Sequence, residues 1–130
     1  MLVGAGDIAS CGLTADTATA KLVAGIAGTV FAAGDEAYES GSAAEFANCY
    51  NPTWGPFLDR THPVPGNHEY VTSGASGYFG YFGARAGQAG AGWYAYDLGT
   101  WRIYALNANC SEVGCGVGSA QEQWLRVRYA

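Results

Sequence analysis

Short apolar runs, each closed by glycine and a polar residue, punctuate the first half of the chain. Residues 2–6 (Leu-Val-Gly-Ala-Gly) lead into Asp7, residues 28–33 (Gly-Thr-Val-Phe-Ala-Ala) into Gly34-Asp35, and residues 62–65 (His-Pro-Val-Pro) into Gly66-Asn67-His68. Runs this short, bounded by turn residues, predict buried strands. The prolines of the third make it the weakest of the three. Between the strands the period changes. Residues 14–25 follow an N-cap at Thr14 or Asp16, with Ala18, Leu22, Val23 and Ile26 at helical spacing. Residues 42–49 predict a shorter helix opened by Ser42, with Glu45 three positions later. Strand, helix, strand, helix, strand is the order of a parallel βαβαβ unit and places the chain in the α/β class.

The second half reads differently. Residues 74–92 are rich in glycine and aromatic residues. Then Trp93-Tyr94-Ala95-Tyr96-Asp97-Leu98 and Trp101-Arg102-Ile103-Tyr104-Ala105-Leu106 flank Gly99-Thr100, a two-residue turn between β-rich runs. These aromatic residues and the run 78–82 fit core and cross-strand pairs better than a ligand platform. Ser119-Ala120-Gln121-Glu122 has capping-box spacing ahead of a helix with Trp124, Leu125 and Arg128 on one face. The sequence stops inside that helix and begins almost on its first strand, so residues 1–130 are expected to be one domain, truncated.

Composition narrows the functional classes. Twenty glycines in 130 residues are about twice the usual share of ~7%, which favours turns and loops over a helical bundle. A net charge of −5 and a pI near 4.7 argue against phosphate-backbone binding to nucleic acid and disfavour docking on anionic membranes. No apolar run approaches the ~20 residues of a membrane span, and Met1-Leu2-Val3 is no signal peptide. The cysteines Cys11, Cys49, Cys110 and Cys115 contain no C-x-x-C and allow three pairings. Cys110–Cys115 with Cys11–Cys49 is the preferred set, and four buried thiols is the other reading. Bridged, the chain belongs in a secreted or extracytoplasmic setting, its leader lying outside this sequence.

The chemistry concentrates where the strands end. Asp7, Asp35 and Asn67 each follow a glycine at such an end, one βα unit apart, so all three are expected on one rim of the sheet. Two carboxylates and an amide oxygen brought together there are most simply balanced by a cation. Asp35, on the middle motif, can bridge two ions. His68 follows directly and can give a proton or steady a transition state. Paired metals with an activated hydroxide are a recurrent device for phosphoester hydrolysis.

Gly6-Asp7, Gly34-Asp35-Glu36-Ala37-Tyr38 and Gly66-Asn67-His68-Glu69 resemble the first three motif blocks of calcineurin-like metallophosphoesterases. The tyrosine of the second block makes the chain most similar to their purple acid phosphatase branch, and the stretches 49–55 and 78–82 resemble secreted bacterial members. The resemblance implies a partial metallophosphoesterase-type α/β sandwich, its parallel βαβαβ start followed by a β-hairpin. It implies two divalent or mixed-valence metal ions (Fe, Zn or Mn) and a small-molecule phosphate ester as substrate. Asp7 and Tyr38 would ligate the first metal, Asp35 both, and Asn67 the second. His68 would serve the leaving group, and Glu69 would orient His68.

The family's later histidine blocks have no counterpart here: the histidines are His62, read as structural, and His68. The expectation is therefore a phosphoesterase by descent whose 130 residues bind metal weakly and turn over little or no substrate. A non-catalytic α/β remnant or binding module is the alternative. A dinucleotide fingerprint at Gly4-Ala5-Gly6-Asp7-Ile8-Ala9 is a lesser one, because Ser10-Cys11-Gly12 delays the helix and Asp7 would face a pyrophosphate. Asn107 and Asn109, after the last strand, either face the rim or make turns.

Overall fold

The computed structural model describes residues 1–129; Ala130, the last residue of the expected domain, lies outside the described residues. The architecture is mixed α/β. Strands β1 (Leu2–Ala5), β3 (Thr29–Ala33) and β5 (Thr61–Val64) form a parallel sheet in the order β1-β3-β5. Val3 pairs with Val30, and Ala32 with Pro63. Helix α1 (Ala15–Ala24) makes the first crossover. The sheet and its first crossover follow the sequence reading, with the third strand beginning one residue earlier than its proline-rich run suggests.

The side chains of β3 and β5 alternate as a two-residue period demands. Val30, Ala32, Thr61 and Pro63 are buried on one face. They meet an aromatic core of Phe46, Tyr50, Trp54, Phe57, Tyr78 and Phe82, whose rings pack largely edge to face. Phe31 and His62 face the other way. There β6 (Tyr94–Leu98) and β7 (Trp101–Ala105) form the expected antiparallel hairpin, Leu98 opposite Trp101. His62 stacks flat on Tyr96, ring centroids 3.6 Å apart. Burial, with the Arg85 charge adding, pushes its pKa below the ordinary value. His62 is thus structural, as expected. The aromatic run of residues 78–82 lies on helix α3 (Ser76–Phe82) and feeds the core.

Two helices depart from the sequence pattern. On α1, Ala20, Val23 and Asp16 are buried while Leu22 is 70% exposed, so the apolar stripe through Ala18 and Leu22 does not face inward. The reason is polar: the Asp16 carboxylate accepts a hydrogen bond from the Thr53 hydroxyl at 2.8 Å, which turns that face of α1 toward the segment carrying Trp54. Thr14 is the N-cap by position, without a side-chain cap bond. The expected helix over 42–49 opens with the full Ser42–Glu45 capping box but is α-helical only over α2 (Ala43–Glu45), continuing as a π-turn through Phe46–Tyr50. The wider turn lets Phe46, Cys49 and Tyr50 all reach the core.

Both disulfides pair as preferred: Cys11 with Cys49 (Cα atoms 4.8 Å apart) and Cys110 with Cys115 (5.0 Å). They point to an oxidising, extracytoplasmic environment. The second closes the turn of helix α4 (Cys110–Val113), ahead of α5 (Ala120–Tyr129). The Ser119 hydroxyl caps α5 at the Glu122 amide, and Arg128 lies over the Trp124 ring. Among the described residues no helix is long and apolar enough to cross a membrane.

Candidate functional site

The first two strand ends are built alike. Asp7 and Asp35 both adopt φ 53°, a left-handed conformation that non-glycine residues rarely hold. The chains nevertheless stay paired through these turns: the Asp7 amide donates to the Gly34 carbonyl and the Ile8 amide to the Asp35 carbonyl. Parallel pairing then resumes in β2 (Ala9–Ser10) and β4 (Ala37–Tyr38). Each aspartate is thus a kink inside a continuous ladder, which swings its side chain off the sheet edge. Strain of this kind persists only where its surroundings enforce it, and it gathers at functional sites.

At the second strand end the enforcing group is Glu69. Fully buried, it accepts four backbone N–H bonds: Oε2 from Gly66 (2.7 Å) and Asp35 (2.9 Å), Oε1 from Glu36 (2.9 Å) and Ala37 (3.3 Å). The second and third motif blocks are bolted together through one carboxylate. Glycine is required at the seam, since a Cβ on Gly34, itself at φ +87°, would lie 2.8 Å from the Gly66 Cα. Beside it Glu36 is also fully buried, with Oε1 on the Gly34 amide and Oε2 without a partner. Burial first, and the Glu69 charge second, push its pKa well above the carboxylate range.

On this base the functional side chains meet. Asp7, Asp35 and Asn67 line one cleft of about 370 Å³ at the carboxyl end of the sheet, with Pro65, Leu106 and Asn109 on its other walls. The Tyr38 hydroxyl donates to Asp7 Oδ1 at 2.5 Å and also reaches Asp35 Oδ2 at 3.4 Å. Burial, its hydrogen bond to Asp7 and the nearby carboxylates hold the phenol well above its usual pKa. The His68 amide donates to Asp35 Oδ1 at 2.9 Å, and the His68 ring lies edge-on to Tyr38 with centroids 4.4 Å apart.

His68 is oriented differently from the sequence expectation. Its Nδ1–H donates to the Glu39 carbonyl at 2.6 Å, whereas Glu69 binds only backbone amides. Glu69 acts on the rim by fixing the two loops and leaves the imidazole to Glu39. That hydrogen bond raises the His68 pKa; partial burial opposes the rise and the Asp35 charge adds to it.

The Glu39 segment is held in turn by Glu45. Its carboxylate accepts from the amides of Glu39, Ser40 and Ser42 and from both serine hydroxyls. Burial opposes ionisation, but these hydrogen bonds outweigh it and hold the Glu45 pKa at about 2, against an ordinary 4.5. A depressed pKa stabilises the fold above the unfolded value and loses that contribution as pH falls through the folded one. Glu45→Gln is therefore expected to lower Tm at pH 7, with the gap from the wild type closing between about pH 4.5 and pH 2. Calorimetric Tm values across that range check this; a gap independent of pH would assign Glu45 no ionic role.

The donor set fits a divalent cation. Asp7, Asp35, Tyr38 and Asn67 offer carboxylate, phenol and amide oxygens around glycines that keep the backbone close. Among the described residues no group of three His, Cys, Asp or Glu is placed to hold a metal ion; Tyr38 and Asn67, two of these four donors, are of other residue types. Sequence reasoning missed Glu36, and left Asn109 open between rim and turn; it lies on the rim. After Gly4-Ala5-Gly6 the chain continues into β2, and the first helix begins only at Ala15, so no helix N-terminus awaits a pyrophosphate at those glycines. A scan against protein-family models, a search of the curated proteins and a search of the solved structures each find no match.

Proposed function

We propose that the rim is the metal-binding part of a phosphoesterase centre of the calcineurin-like, purple acid phosphatase-like type, acting on a small-molecule phosphate ester in an extracytoplasmic setting, the chain being secreted. What supports this reading is the meeting of Asp7, Asp35 and Asn67 in one cleft, with Tyr38 bonded to both aspartates and His68 beside it. Asp7 and Tyr38 would hold one ion, Asn67 a second, and Asp35 would serve both. When bound, the pair (Fe, Zn or Mn) supplies Lewis acidity and a hydroxide at neutral pH. The protein's own work is positional. Glu69 sets the two loops, Glu45 sets Glu39, and Glu39 engages Nδ1 of His68, leaving Nε2 to deliver a proton to the departing alkoxide. With so few donors, the chain is expected to bind metal weakly and turn over little substrate.

Asp35→Asn keeps the acceptor oxygen for the His68 amide while removing the bridging charge. It is expected to weaken Mn2+ binding more than about tenfold by isothermal titration calorimetry, with the metal-free Tm little changed. Any hydrolysis of p-nitrophenyl phosphate by the chain should disappear with it. Mn2+ affinity equal to that of the wild type would overturn the reading.

A further inference from the structure

We infer that Asn109 is an additional oxygen ligand of this rim and that, with Asp7, Asp35 and Asn67, it suits the cleft to a hard divalent cation such as Mn2+ or Mg2+. The inference rests on the proposed metal site and extends it to Asn109, which lines the same cleft and lies outside the three motif blocks.

The orientation of Asn109 carries the argument. Its Nδ2 donates to the Pro65 carbonyl at 3.0 Å and to Asn107 Oδ1 at 2.9 Å. Its backbone amide donates to the same Asn107 oxygen, and its carbonyl accepts the Glu112 and Val113 amides at the start of α4. Among the described residues the side-chain oxygen Oδ1 takes no such partner, on a residue that lines the cleft. Rotating the carboxamide by half a turn would set that oxygen against two acceptors, so the network fixes which end points where.

The support behind Asn109 is unusually complete. Asn107 is fully buried and saturated: Nδ2 donates to the Tyr70 hydroxyl and the Ala91 carbonyl, while its backbone amide and carbonyl both bond the Gln121 side chain. The Cys110–Cys115 bridge closes the next turn. A surface turn needs no such backing, whereas a ligand does, because groups behind a ligand set its direction and affinity. The side-chain donors that line the cleft are carboxylate and amide oxygens, and neither His nor Cys is among its lining residues, His68 lying just beside it. Oxygen-only sets favour Mg2+, Ca2+ and Mn2+ over the softer metals.

The test is cation binding, read without turnover. Mn2+ titrated into the metal-free chain and followed by electron paramagnetic resonance should show Asn109→Ala binding about tenfold more weakly than the wild type. In parallel, Mg2+ added to 15N-labelled wild type should shift the side-chain amide signals of Asn109 and Asn67 together in heteronuclear NMR spectra. The NMR arm stands even where Asn109→Ala fails to fold. Stationary Asn109 signals under Mg2+ that moves those of Asn67 would overturn the role of Asn109 alone. If Asp35→Asn also leaves Mn2+ affinity untouched, the metal reading of the rim falls with it.

Discussion

Glu69→Ala is expected to remove most of the stability of this fold. Among the described residues its carboxylate is the side-chain acceptor for the amides of Gly66, Asp35, Glu36 and Ala37, the last two in buried bonds and the first two in part-buried ones. A buried donor left without a partner costs roughly 1–3 kcal/mol, so two buried amides and two part-buried ones together amount to about 4 kcal/mol. Whole-domain stabilities are only about 5–15 kcal/mol. Thermal unfolding followed by circular dichroism should show Tm falling by roughly 15 °C or the transition losing cooperativity. Glu69→Gln keeps one oxygen and turns the other into a donor facing N–H groups, so about half that loss is expected. Glu36→Gln is the internal control: burial and the Glu69 charge already disfavour its ionised form, so its amide isostere should shift Tm less than either change at Glu69. A Glu69→Ala chain melting within a few degrees of the wild type would show that these loops hold themselves.

Opening the Cys11–Cys49 bridge has the next largest expected effect. The cross-link spans 38 residues, from the loop after β2 to the π-turn that carries the core aromatics. A loop of that length denies the unfolded chain about 4 kcal/mol of conformational freedom, while the five-residue Cys110–Cys115 loop denies it about 2 kcal/mol. Replacing Cys11 and Cys49 together by alanine should therefore cost about twice as much as the same change at Cys110 and Cys115, read from urea unfolding midpoints at constant slope. Equal losses at the two pairs would mean that local packing, and not chain entropy, governs both.

The rim was legible in the sequence because its signal is local. A glycine and a polar residue closing each apolar run are visible one run at a time, and the period of the runs lays them side by side. The hairpin over Tyr94–Ala105 was legible for the same reason. What escaped depends on partners far along the chain. Asp16 looks like a cap until Thr53 is seen to take its carboxylate into the interior. Glu69 looks like the natural partner of the histidine before it, yet a neighbour on a tight turn points elsewhere, and its oxygens reach residues 32–34 positions away. Asn109 could be given no settled role, because nothing near it in sequence says that Pro65 and Asn107 will hold its amide.

The parallel order β1-β3-β5 also sets how the molecule assembles. No strand of that sheet can pair with its neighbour until a long intervening segment has been looped out, and the Glu69 bonds join residues equally remote. Such high contact order makes folding slow, on the millisecond-to-second scale instead of microseconds. The aspartates acquire their left-handed turns only once those distant pieces have met, so the cleft has no partly formed precursor. A cation of the kind proposed for the rim would meet its oxygen ligands together only in the folded chain.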